Sequence, residues 1–554
     1  MTISVTGPGK VTGDAIDCRA PSCAVAVAGG TPVHLEAVAD PGARFVGWSG
    51  GCAGSGSCEL VASDGLAVQA VFSGPTPPDL PPADARTHTL TVDVAGSGQV
   101  RSDPPGIDCP GAACSATFAQ GARVVLTASP LAGFHLAGIA GACSATPCAL
   151  QLDGDQAIFA RFEANPPRRV TVTMTGDGKG RVVSIPAGID CPTQCSALFD
   201  DAARLTLTST PDAISKLTQW TGACSGTTCS ISPQADVSIG AQFDRRRYVV
   251  QDLGILPGGF WSGGNAISRH ARLVSGVSGT STGSAGYLYD GTLHSTGIQG
   301  DAMAVNDKGT VVGTDNSQAA SSIFTAYMWS AGVRTNLPTF GGDWAFAQGI
   351  NGAGVISGSA AYAGGAVRAA VWRNGVPVDL GTFSGCSYGY GINSRDMVAG
   401  ESCIAAGGTH AVRFRGPGRI DDLGSLGGNY ARGIGINDAG MVVGEGSLTP
   451  NGPIHAFVWN GAMSDVGTLP GMTDSSLFAV NSDGIAVGYS FVINTNDQRA
   501  MIYAEGQLID LNSLVEPTPF VITYAHGIDE DGDIVGTGFD PVLYGTHAVL
   551  LLRQ

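Results

Sequence analysis

The residues that could do chemistry fall into a few groups. Gly-x-Ser-x-Gly occurs twice, at Gly279 to Gly283 and Gly385 to Gly389. A nucleophile elbow needs a strand, a turn and then a helix, and no helical period follows either copy. With 82 glycines in 554 residues, chance matches are expected. His410, His455 and His547 sit at one equivalent position of a repeat, so they cannot converge on one metal. Each is expected to bond an aspartate on the next strand, such as Asp422 or Asp465. Asp529-Glu530-Asp531-Gly532-Asp533 is acidic enough to suggest calcium but lacks the full ligand spacing of a calcium loop. No metal and no cofactor is expected.

Cysteine gives the most regular signal. Cys18, Cys23, Cys52 and Cys58 are followed by Cys109, Cys114, Cys143 and Cys148, then by Cys191, Cys195, Cys224 and Cys229. Such spacing in small modules points to disulfides and an oxidising compartment. A four-thiolate zinc site is the rival, and the gaps inside each pair weaken it. Local bridges, Cys18–Cys23, Cys52–Cys58 and their counterparts, are expected, with crossed pairing as the alternative. Cys386 and Cys403 bracket two strands of one repeat and should form a further bridge.

Aromatic residues are the sharpest binding candidates. Trp261, Trp344 and Tyr430 each lie seven residues before the turn of their repeat, and Tyr388 and Tyr390 occupy a shorter loop of the same kind. Rings around the mouth of a central channel, with Gly and Asn beside them, suit stacking on sugars. Packing between neighbouring repeats is their commoner fate.

The element that positions these rings is the stretch Gly435-Ile436-Asn437-Asp438-Ala439-Gly440-Met441-Val442-Val443-Gly444. It has an apolar approach, an Asn-x-x-Gly turn, a β-branched run and a final Gly. Its turn position returns at 268, 306, 351, 393, 437, 481 and 529, steps of 38 to 48 residues. A period of this length indicates a repeat architecture, most simply one four-stranded propeller blade per repeat. The turn joins strands a and b, an Ala-aromatic strand c follows, and strand d ends near Asp-Leu-Gly. The second half opens on an orphan d strand, Val249 to Gly254, and ends on an orphan c strand, His547 to Leu551. These readings give an all-β chain whose residues 248–554 form a seven-bladed β-propeller closed by its own N-terminal strand, so that no sheet edge is left open.

Three small disulfide-bonded modules, β-grasp-like in expectation, precede it at 1–73, 88–163 and 169–244. A stiff Pro-rich linker spans 74–87, and Arg245 to Arg247 reads as a solvated hinge. Three modules in line would hold the propeller on the order of 80 Å from an attachment point. No signal peptide precedes the first strand, so the chain shown is trimmed or its start misplaced.

A net charge of −17 argues against nucleic acid, and no apolar run is long enough for membrane insertion. Charged residues are only 14% against 43% hydrophobic, which reads as a folded, turn-rich protein.

The small modules, with Gly47-Trp48-Ser49-Gly50-Gly51-Cys52 and Trp220-Thr221-Gly222-Ala223-Cys224, resemble divergent internalin-type B repeats of bacterial surface proteins. The second half resembles the HAF family of bacterial extracellular repeats. The matching residues are His455-Ala456-Phe457 with Trp459, Asp422-Leu423-Gly424 with Leu426-Gly427-Gly428, and Ile436-Asn437-Asp438 with Val442-Val443-Gly444. The resemblance implies export from a bacterium and no activity. The expectation is a monomeric, secreted or surface-attached binding protein whose partner is a glycan or a surface protein, not an enzyme. The alternatives are a structural surface-layer component and a polysaccharide hydrolase or lyase.

Overall fold

The computed structural model describes all residues except 15, 20, 75–85 and 282. The expected Pro-rich linker lies almost wholly outside the described residues. The described residues are strands joined by turns, with two short 3-10 helices. No helix among them is long and apolar enough to cross a membrane. Two compact units are present, Met1–Ala164 and Asn165–Gln554.

Each small module is a pair of four-stranded sheets over one core. In the second module, Thr87–Ala95 pairs in parallel with Gln156–Ala164 in one sheet, while Gly98–Asp103 pairs with Ala122–Pro130 in the other. Alternation sends Leu90, Val92, Val124, Leu126, Ile158 and Phe162 inward from both sheets. The β-grasp expectation therefore fails: eight strands share two layers, and no helix among the described residues is there to be grasped. A module this small buries little apolar surface, and two disulfides offset that deficit. The bonds join Cys18 to Cys23, Cys52 to Cys58, Cys109 to Cys114, Cys143 to Cys148, Cys191 to Cys195, and Cys224 to Cys229.

The second half is β-propeller-like. Its strands form five four-stranded sheets and one of seven, the latter because Leu293–Val305 is strand d of the first repeat and strand a of the second. The orphan strand Tyr248–Gly254 pairs antiparallel with Gly545–Arg553, Tyr248 opposite Arg553. Successive a strands lie side by side from the first repeat to the seventh, and the seventh meets the first. The last Gly of the repeat pattern has a steric cause. A Cβ at Gly313, Gly444, Gly488 or Gly536 would stand about 2 Å from a strand-a carbonyl of the same repeat.

Outside the sheets' faces, His410, His455 and His547 bond Asp422, Asp465 and Asp252 through Nδ1 at 2.8–3.1 Å. Each aspartate also accepts the N–H of the Gly two residues on, which fixes the end of strand d. Cys386 is bonded to Cys403.

The hinge expectation at Arg245 to Arg247 is corrected. All three arginines are half-buried, and Arg247 bonds Asp177 of the third module and the Ser513 carbonyl of the repeats. Ile214 of the third module is buried in one cluster with Tyr248, Ile485, Leu511 and Leu514. Apolar burial of this kind fixes the third module to the repeats.

Candidate functional site

The a strands carry the site because of a bulge. In the fifth repeat Gly433 pairs with Gly444 and Gly435 with Val443, so Ile434 is left over. The same break occurs in every repeat, three residues before the turn position. A bulge re-aims its extra side chain. Here it turns Asn265, Met303 and Gln348 into one central cavity, together with Tyr390, Ile434, Phe478 and His526. The cavity measures about 530 Å³.

At one end of the cavity stand the a–b turns. Asn351, Asn393, Asn437 and Asn481 each accept, through Oδ1, the N–H four residues on. Each Nδ2 donates to the carbonyl of the next turn: Asn306 to Asn351, Asn351 to Asn393, Asn393 to Asn437, Asn437 to Asn481, and Asn481 to Asp529, at 2.9–3.2 Å. This ladder is why the turn residue is Asn: one amide supplies both a donor and an acceptor. Asp529 breaks it. Its Oδ1 accepts from the Asp533 N–H at 2.8 Å, while its Oδ2 is buried without a hydrogen-bond partner among the described residues. Burial pushes its pKa up to about 6, with Asp533 and Asp531 adding repulsion and Arg272 opposing. Across this end reaches Arg269, which bonds Glu530 of the neighbouring seventh repeat and, at 2.7 Å, Asp438 of the fifth.

The opposite end is polar on one side and aromatic on the other. The Tyr390 hydroxyl donates to Glu401 at 2.8 Å, and the Tyr430 hydroxyl donates to Glu445 at 2.7 Å. Arg432 Nε donates to Glu445 at 3.0 Å, and its guanidinium lies 5.7 Å from the centre of the Tyr390 ring. Burial raises the pKa of Glu401, and its hydrogen bond from Tyr390 opposes this. On the sixth and seventh repeats Phe478 stacks on Tyr489 and on His526, Tyr489 stacks on Phe491, and Tyr524 stacks on His526, with centroids 4.8–5.4 Å apart. Burial pushes His526 down to about 4, so the ring is neutral at pH 7. Its Nδ1 lies 2.9 Å from the Gly264 carbonyl and must be the protonated nitrogen, since that oxygen only accepts.

The five aromatic candidates separate into two sets. Tyr390 lines the cavity; Tyr430 and Tyr388 stand with it, Tyr388 directly across the ladder from Glu401. Trp344 instead packs on Phe346 at 5.3 Å and pairs with Phe324 through a β-bridge. Trp261 lies against Gly279, where a Cβ would come within 2.4 Å of Nε1. Sequence reasoning missed Phe478, His526, Tyr489, Tyr524, Arg432 and the two glutamates. The signal was in the period, because the position three before each turn is the bulge residue.

The remaining motifs are structural. Ser387 of Gly385–Gly389 donates to the Gly381 carbonyl at 2.6 Å and accepts the Ala369 N–H at 3.0 Å. In Gly279–Gly283, residue 282 lies outside the described residues. No group of three or more metal-ligating side chains occurs among the described residues.

Comparison with known proteins bears on the small modules. Residues 1–73, 88–166 and 170–247 match the model of the divergent InlB B-repeat domain. No curated protein matches the chain. Among solved structures, the β-propeller domain of the Trilobed protease from Pyrococcus furiosus aligns at 8% identity and a TM-score of 0.37, over 53% of this chain and 97% of that one. TolB from Acinetobacter baumannii aligns at 12% identity and 0.30, over 45% and 63% of the two chains. A Streptococcal ancillary pilin aligns at 11% identity and 0.16, over 38% and 78%. The three small modules are thus similar to the InlB B-repeat domain, each along nearly its whole length.

Proposed function

We propose that residues 248–554 are a seven-bladed, HAF-type propeller closed by its own N-terminal strand. On this reading it is the binding module of a secreted or surface-attached bacterial protein, with the small modules as its spacer and a glycan as its ligand. Seven disulfides suit an oxidising compartment. The observation that carries the reading is the cavity mouth itself. A strip of stacked rings, Phe478, Tyr489, Tyr524 and His526, stands beside the hydrogen-bonding set of Tyr390, Glu401, Tyr430, Glu445 and Arg432. Sugars need both: apolar ring faces to cover their C–H faces and fixed polar groups to orient their hydroxyls. Among the exposed large apolar residues of the second half, Phe260, Phe383, Ile493, Val542, Leu543 and Tyr544 lie in d–a or b–c connections, on the same side as that mouth, whereas Val333 and Val376 lie at c–d turns on the other side.

The test is a glycan array probed with the intact chain, followed by titration of hits against Phe478→Ala and Tyr430→Phe. Loss of roughly tenfold or more in affinity, in variants that remain folded with a single cooperative melting transition above the assay temperature, supports the reading. Hits that bind both variants like the parent refute it. A second reading rests on the two glutamates: one with a raised pKa and one ion-paired to Arg432 is a pattern used in glycoside hydrolysis. Release of reducing sugar from polysaccharides, abolished in Glu401→Gln, would favour it.

A further inference from the structure

We infer that the cavity is a blind pocket that takes the uncharged, hydroxyl-rich end of a glycan, inserted end-on from the aromatic side. The inference rests on the glycan reading above and adds which part of the chain is held and with what charge. Two observations carry it, one about shape and one about chemistry.

The shape follows from Arg269. Its guanidinium joins turns that are not neighbours, Asp438 in the fifth repeat and Glu530 in the seventh, so it stretches across the turn end of the cavity rather than along its rim. Both carboxylates are themselves fixed. Asp438 Oδ1 accepts the Ser394 N–H at 2.9 Å and Glu530 Oε2 the Ser482 N–H at 3.0 Å. The Glu530 N–H in turn donates to the Arg269 carbonyl at 3.1 Å. An arginine held at both ends this way is a bar, and a polymer cannot thread past it. A volume of about 530 Å³ falls within the roughly 300–1,000 Å³ of small-ligand pockets, enough for a short chain end and not for a long segment.

The chemistry follows from which atoms remain free. His526 spends Nδ1–H on the Gly264 carbonyl, which leaves Nε2 as a bare acceptor. Asn265 spends its amide N–H on the Ala302 carbonyl at 3.1 Å, which leaves Oδ1 as an acceptor. Asp307, Asp438 and Glu530 line the turn end against one guanidinium, and Glu401 and Glu445 flank the mouth against Arg432. Carboxylates therefore outnumber guanidiniums, and both guanidiniums are already paired. An anionic terminus would meet acceptors and negative charge in a confined space, where repulsion is poorly screened. A neutral sugar brings hydroxyl donors to those acceptors.

The experiment uses the intact chain and calorimetric titration with matched hexasaccharides. The probes are neutral gluco-, galacto-, manno- and N-acetylglucosamine chains with free ends. Alongside them go the same chains with both ends capped by bulky groups, an endless ring (α-cyclodextrin), and chains oxidised at C6 to uronates. The expected result is binding of a neutral free-ended chain, at least tenfold weaker after capping, cyclisation or oxidation. Ile434→Trp, which fills the cavity, should abolish that binding at an unchanged melting temperature; if this variant fails to fold, the ligand series decides alone. Equal binding of capped or cyclic chains, or tighter binding of uronates, overturns the inference and leaves the glycan reading standing. Absence of binding to every sugar overturns both.

Discussion

Asp529→Asn should stabilise the protein, and by an amount that depends on pH. In five of the seven turns an Asn amide donates to the next turn's carbonyl; at Asp529 the corresponding oxygen is buried and unpartnered. Burial pushes the Asp529 pKa up to about 6 from 3.8. The folded state therefore holds a proton between about pH 4 and 6 that the unfolded chain has released. Stability from this group is greatest below pH 4 and falls as pH rises to about 6, then stays level. Two pKa units correspond to ~3 kcal/mol, and solvent screening reduces this to ~1–2 kcal/mol. The new amide donor adds ~1 kcal/mol at any pH. The variant should thus exceed the parent by ~2–3 kcal/mol at pH 7.5 and by ~1 kcal/mol at pH 4. Paired thermal or urea melts at several pH values read the difference, in which titrating groups remote from this turn cancel. Asn437→Asp should reproduce the loss in another repeat. A difference that stays flat across that window would refute the assignment of a buried, neutralisable carboxyl to this turn.

Further outcomes are expected. Deleting Tyr248 to Gly254 removes the strand paired with Gly545–Arg553 and exposes a sheet edge, so light scattering should show aggregation and calorimetry a melting temperature many degrees lower. Trp344→Ala should cost ~2–4 kcal/mol of stability through lost packing on Phe346, whereas Tyr430→Phe should cost ~1–2 kcal/mol through the lost bond to Glu445. Ile214→Asp puts a charge into the cluster around Tyr248 and Leu511 and should split one calorimetric transition into two as the third module melts separately. Peptide mapping without reduction should recover the Cys386–Cys403 bridge intact.

The repeat was legible because its steric demands are local. An Asn that must donate and accept, a Gly facing a carbonyl, and an Asp capping strand d recur at fixed spacing, and so did the His–Asp pairs. The orphan strands at the two ends foretold that Tyr248–Gly254 would pair with Gly545–Arg553. The site was half legible. Loop aromatics were visible as a class, but Trp261 and Trp344 went to packing, because exposure depends on which neighbour offers a glycine or another ring. Phe478 and His526 escaped notice because a bulge displaces one residue from strict alternation, and plain period-two reading assigns it to the wrong face. The docked third module was hidden too: Arg245 to Arg247 look like a solvated joint until Asp177, Ser513 and the pocket for Ile214 are known.

Pairing Tyr248–Gly254 with Gly545–Arg553 also sets an order of events during synthesis. The first strand of the second half emerges almost 300 residues before its partner (248 against 545), so it waits as an unpaired edge while six repeats assemble beside it. Contacts so distant in sequence form slowly, and an unsatisfied edge in the meantime invites pairing with another chain. The third module is made just before that strand, and the cluster joining Ile214 to Tyr248 gives the waiting segment something to lean on. A nascent chain stalled before Gly545 should therefore expose the backbone of residues 248–254 to a bystander strand, and completion of the last nine residues of the pairing segment should withdraw it.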